Sequence, residues 1–133
     1  MGIRYQLAEP DQGICYVTLE APWTWAEFDA IVDDLRARIN AIPHPVATIV
    51  DVTQVGRLPT GNVLMHLRRT DEMMPKNIDL SIMVNAPYAV TTFMSILMRV
   101  RPHVKTMTRY AHSVDEARAM VAEFRQQQEH VGK

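Results

Sequence analysis

The chain is 133 residues long, with 14 Lys and Arg against 15 Asp and Glu and a single cysteine, Cys15. That length fits one domain over residues 1–133, and a chain of this size buries roughly two-thirds of the surface its unfolded form exposes. A net charge of −1 excludes a general pull toward nucleic acid or anionic membrane. One cysteine excludes a disulfide framework, and no apolar run approaches the roughly 18 residues that span a membrane.

The first residues, "MGIRYQLAEPDQG", carry no apolar signal core, so a cytoplasmic protein is expected. "IRYQL" (3–7) alternates apolar and polar residues, "PDQG" (10–13) has turn chemistry, and "ICYVTL" (14–19) is β-branched and aromatic. Together they predict an opening β-hairpin. The clearest helix lies in "APWTWAEFDAIVDDLRARINAI" (21–42). Thr24 and Glu27 form a capping box, Trp23 can staple onto Phe28, and Trp25, Phe28, Ile31, Val32, Leu35 and Ile39 share one face. The two tryptophans read as staple and core in preference to a ligand clamp. Pro43 and Pro45 end the helix.

"VATIVDV" (46–52) is a continuous apolar run, the mark of a strand buried on both faces and hence central in a sheet. The loop "TQVGRLPTG" (53–61) leads to a second helix, "NVLMHLRRTDEMM" (62–74). "IDLSIMV" (78–84) is a further strand, and a third helix follows from Tyr88 to Val100. "RPHV" (101–104) ends that helix, and "KTMTRY" (105–110) alternates as a short peripheral strand. A last helix opens with the capping box Ser113 and Glu116, carries the stripe Ala117, Met120, Val121 and Phe124, and frays at about residues 128–133. The order is ββαβαβαβα. Alternating strands and helices need crossovers, so the expected fold is α/β, a mixed but mainly parallel sheet with packed helices.

This order, with "VATIVDV" before a short loop and a helix, resembles the STAS domain family, which includes bacterial anti-sigma factor antagonists and cytoplasmic domains of sulphate transporters. It is similar also to a diverged group of single-domain bacterial STAS-like proteins in which a Trp starts the first helix and an Asp follows the third strand. The resemblance covers nearly the whole chain and lies in element order and apolar pattern. It implies a regulatory binding role without catalysis and without a cofactor. Antagonists carry a phospho-acceptor in an Asp-Ser-Ser-Gly-like motif at the start of the second helix. Here Pro59 meets the Asp, Thr60 the first Ser, Gly61 the acceptor Ser and Asn62 the Gly.

The candidate switch or anion loop is therefore Asp51, Thr53, Thr60, Gly61 and Asn62. Read from the residues alone, Thr60 suits a helix N-cap, and Asp51 suits a turn-setting acceptor for loop N–H groups. Gly56 and Gly61 do not make a phosphate-binding P-loop, because its Lys is absent. Asp51 at a strand end also suggests a receiver-type phospho-acceptor, but the opening hairpin leaves no acidic cluster to hold its metal. The five histidines are scattered without metal-ligand spacing.

The third helix is apolar nearly all round. Phe93, Met94, Leu97 and Met98 are the candidate interface, and a homodimer or an unidentified protein partner is expected; a helix packed deeply within its own fold explains the same pattern equally well. The alternative is a small-molecule or lipid-binding domain with an apolar pocket beside that helix. An enzyme ranks third. Arg68, Arg69, Arg99, Arg101, Lys105 and Arg109 are read as a solvated rim.

Overall fold

A computed structural model describes residues 2–8 and 13–131. Strands β1 (Ile3–Ala8) and β2 (Ile14–Glu20) pair antiparallel, with Ile3 opposite Leu19 and Ala8 opposite Ile14, so the expected hairpin is present. Its turn lies largely outside the described residues. Gly13 closes it at φ +62°, where a Cβ would also stand 2.8 Å from the Pro45 carbonyl.

Helix α1 (Trp25–Asn40) starts where the capping pattern placed it. Thr24 Oγ1 accepts from the Glu27 N–H at 3.1 Å. The Glu27 carboxylate in turn accepts from the Ile3 N–H, which ties the helix start to β1. The staple forms too, with the rings of Trp23 and Phe28 5.9 Å apart.

Strand β3 (Val46–Gln54) is the middle strand of a five-stranded sheet ordered β1-β2-β3-β4-β5. Strands β4 (Ile78–Val84) and β5 (Thr108–Ala111) complete it, and β2 through β5 are all parallel. Helices α2 (Val63–Met73) and α3 (Tyr88–Val100) make the crossovers around β4. Helix α5 (Val114–Val131) returns across the opposite face, where Ala117 and Val121 pack on Ala47, Ile49, Leu80, Ile82 and Val84. Its start is capped by Ser113, whose hydroxyl accepts from the Glu116 N–H.

The order is the expected ββαβαβαβα with one addition. A short helix, α4 (Pro102–Met107), precedes β5, so Lys105–Met107 are helical and the strand is Thr108–Ala111. Helix α3 ends at Val100, where "RPHV" is expected to end it, and Pro102 then opens α4. It sits in the first turn of α4, where its missing N–H has no helical partner to lose. Helix α5 also continues to Val131, past the expected end near residue 128.

The sheet therefore separates two apolar cores. One lies beneath α5. The other is bounded by α1, α2 and α3, and contains Val17, Leu19, both tryptophans, Ile39, Val52 and Val55. Cys15 is buried in that second core, and burial pushes its thiol up to about 12. It is a small core residue and not a nucleophile.

Candidate functional site

The loop between β3 and α2 is held down by the two tryptophans. Trp23 Nε1 donates to the Val55 carbonyl and Trp25 Nε1 to the Pro59 carbonyl, each at 3.0 Å. Both rings are buried and stand edge to face, with centroids 5.0 Å apart. Trp25 also stacks flat on His66 of α2 at 4.6 Å, and His66 Nδ1 lies 3.0 Å from the Asp29 carboxylate of α1. A buried indole N–H needs an acceptor. Here that need is met by loop carbonyls, which fixes the path of residues 55–59 across the end of α1.

Within this loop the capping residue is Asn62, not Thr60. The Asn62 side-chain oxygen accepts from the Met65 N–H at 3.0 Å, as the N-cap of α2. Thr60 stands two residues before the cap, exposed, and its hydroxyl has no partner among the described residues. The helix begins later than the Thr60 reading required because Gly61 (φ +130°) turns the chain first.

Asp51 does what a turn-setting aspartate should. Its Oδ1 accepts from the Thr53 N–H at 2.9 Å and from the Thr53 hydroxyl at 2.6 Å. Asn85, in a left-handed conformation at φ +56°, donates from Nδ2 to that same hydroxyl oxygen and links the ends of β3 and β4. The five candidate loop residues thus divide into two groups. Asp51 and Thr53 form this lock, while Thr60, Gly61 and Asn62 form the approach to α2. No hydrogen bond joins the groups among the described residues.

Beneath the loop lies a cavity of about 220 Å³, walled by the sheet, from β1 to β5, on one side and by α1, α2, α3 and α4 on the other. Its surface is almost entirely carbon. Phe93, Met94 and Leu97 line it, so these three candidate interface residues belong to the interior side of α3. Leu97 is 4% exposed and half-buried Met98 is the remaining member of the set. The three face inward because the sheet offers α3 an apolar surface to cover. Helical period alone does not say which of two apolar stripes does the covering.

Three of the six residues of the basic cluster are paired with acids. Arg68 pairs with Glu72, Arg69 with Asp33, and Arg101 with Asp71, which is also 2.9 Å from His103 Nε2. Arg109 donates to the carbonyls of Thr106 and Thr108. Among the described residues no three His, Cys, Asp or Glu side chains are grouped to hold a metal ion. No described helix is long and apolar enough to cross a membrane.

A solved structure described as an anti-sigma-factor antagonist (STAS) domain protein from Planctomyces limnophilus superposes with a TM-score of 0.58 at 15% identity, covering 90% of this chain and 97% of that one. The fold is that of a STAS domain. No family model matches the sequence, and no curated protein does.

In this STAS-like domain, Gly61 occupies the position that the sequence pattern matched to the phospho-acceptor Ser. Its φ of +130° is one that L side chains rarely adopt, and a Cβ there would sit 3.5 Å from Trp25 Cδ1. Backbone geometry, and not only residue identity, therefore disfavours a Ser at that point. The sequence reading missed three features here. The indole-to-loop bonds were signalled by the tryptophans' need for acceptors. Asn85 has the left-handed tolerance of Asn as its only sign. The hydroxyls of Thr48, Ser81 and Thr108 in the cavity wall have no local signature.

Proposed function

We propose that this STAS-like domain is a non-catalytic regulatory module that binds a protein partner through the β3–α2 loop. The observation that carries this reading is the contrast within the loop. Its backbone is pinned by Trp23 and Trp25, yet Thr60 presents a free hydroxyl to solvent. A pinned, exposed loop loses little conformational freedom on docking, which favours recognition. The fold likeness supports a regulatory role at the level of architecture only.

Affinity capture from the source cells with wild type and Thr60→Arg tests the loop. A protein held by the wild type and lost by the variant supports the proposal, and identical capture profiles overturn it. Incubation of the wild type with cell extract and ATP, followed by peptide mapping, tests the switch itself. An unmodified Thr60 peptide removes phosphorylation from the proposal.

A homodimer in the cytoplasm belongs to the same reading, with exposed apolar Tyr88 and Val100 of α3 as surface available for it. Light scattering at high micromolar concentration decides this, and a monomer overturns it. The second reading, a binding domain for an apolar molecule, is favoured by the cavity itself. Protein interiors rarely leave voids much larger than a water molecule. An engineered dry cavity of roughly 150 Å³ already admits benzene.

A further inference from the structure

On the sheet side the cavity wall is apolar except along one line. Thr48 of β3 pairs in register with Ser81 of β4, and Ser81 pairs with Thr108 of β5. All three line the cavity. Three hydroxyl residues therefore run side by side across adjacent strands, which are about 4.8 Å apart, on the sheet side of a surface that is otherwise mostly Val, Ile, Leu, Met, Phe and Trp. The other polar lining residues, Arg36, Thr70 and Asp71, lie on the helices, and the Thr70 hydroxyl already donates to the His66 carbonyl.

The line is not closed on itself. Thr48 Oγ1 donates to Ser81 Oγ at 2.8 Å, so the Ser81 proton is left over. Thr108 is 8% exposed, and its hydroxyl has no partner among the described residues. A hydroxyl that lines a cavity without a full set of protein partners is open to one that a ligand supplies. Pockets for small ligands have this composition, with mostly apolar walls and a few placed polar groups that fix orientation.

Charge narrows the class of ligand. The charged residues lining the cavity are Arg36 and Asp71. Asp71 is already held by Arg101 and His103, and its negative charge opposes an anion in the same space. Arg36 is on α1 and exposed, whereas the hydroxyl line is on β3, β4 and β5. An ionised carboxylate seated on hydroxyls alone would lose its hydration without gaining a cation.

We propose that the cavity takes an uncharged aliphatic molecule with one oxygen function, an alcohol or ketone, whose oxygen sits on the Ser81 and Thr108 hydroxyls. By proportion to the benzene cavity, its chain would have roughly nine heavy atoms. The proposal rests on the cavity reading above and adds the polarity and the seat of the ligand.

The test titrates purified protein with 1-octanol, octane and octanoate, and follows the emission of Trp23 and Trp25, both of which line the cavity. Wild type is compared with Ser81→Ala/Thr108→Val and with Arg36→Gln. The expected result is that the double variant weakens 1-octanol by about tenfold, the scale of one lost hydrogen bond, and leaves octane unchanged or tighter. Comparing two ligands on one variant separates the seat from any change in folding. If octanol and octane respond alike, the hydroxyl seat is wrong and the cavity reading stands. If octanoate binds most tightly and Arg36→Gln abolishes that preference, the ligand is an anion and the proposal is overturned. If none of the three binds, the cavity reading fails as well.

Discussion

Trp25 Nε1 donates to the Pro59 carbonyl across 34 residues of sequence, and the same ring lies parallel to the imidazole of His66, 4.6 Å away. One side chain at the start of α1 thus sets both the approach to α2 and the position of α2 itself. Trp25→Phe keeps most of the ring but removes the donor. It is expected to destabilise the fold by about 1–3 kcal/mol, the range for stranding one buried hydrogen-bond partner. It should also speed proteolytic nicking within residues 55–61. Urea denaturation and limited proteolysis check this, and unchanged cleavage would sink the idea that the indole pins the loop.

The cap of α2 separates two residues that look alike on paper. Asn62→Ala is expected to lower stability by about 1 kcal/mol, the usual loss for a helix cap. Thr60→Ala should change it by less than about 0.5 kcal/mol, as for an exposed position without partners. Thermal or urea unfolding of the two variants side by side gives the answer. A larger loss for Thr60→Ala would restore it as the cap.

Gly61 is expected to resist replacement. Its φ of +130° makes any L side chain strained regardless of space, so Gly61→Ala should destabilise by more than about 1 kcal/mol. Gly61→Ser, which would bring back the matched acceptor residue, should be no better tolerated. Equal stability of the serine variant would show that the backbone here relaxes freely.

Titration of Cys15 predicts an alkaline loss of stability. Burial raises the thiol from an ordinary 9.0 to about 12 in the folded chain. The folded state then holds its proton more tightly than the unfolded state. The resulting stabilisation is complete below pH 9 and is lost progressively as pH rises toward 12. Tyr5 and Tyr110 act in the same direction, both raised first by burial, with a hydrogen bond to Asp34 adding to the effect at Tyr5. Cys15→Ala should flatten the fall in stability between pH 9 and 11. The wild-type thiol should also react with a thiol reagent at pH 8 only on unfolding. Rapid labelling of the native protein would contradict the buried assignment.

Much of the fold was legible because its determinants are local. The capping pairs Thr24 with Glu27 and Ser113 with Glu116, the staple of Trp23 on Phe28, and the two-sided apolar run of β3 each place an element by itself. Strand–helix alternation then leaves few topologies for a chain of this size. Residues 101–104 end α3 as their composition predicts, but α4 is not legible there, because a proline ends one helix and opens the next with the same fixed φ, and only the neighbouring packing adds the second role. Thr60 was misread for a related reason. Thr60 and Asn62 are both good caps, and the turn at Gly61 decides between them.

By itself the sequence determined the elements, their order, the central place of β3, and which residues are apolar enough to be covered. Only the tertiary structure decided what covers them. Phe93, Met94 and Leu97 turn inward because the parallel pairing of β3 with β4 builds a surface for α3 to close. Ser81 is set between Thr48 and Thr108 by register between strands that are distant in sequence. Hydrophobic periodicity is a property of one segment, whereas a cavity and a row of hydroxyls across three strands exist only where several segments meet.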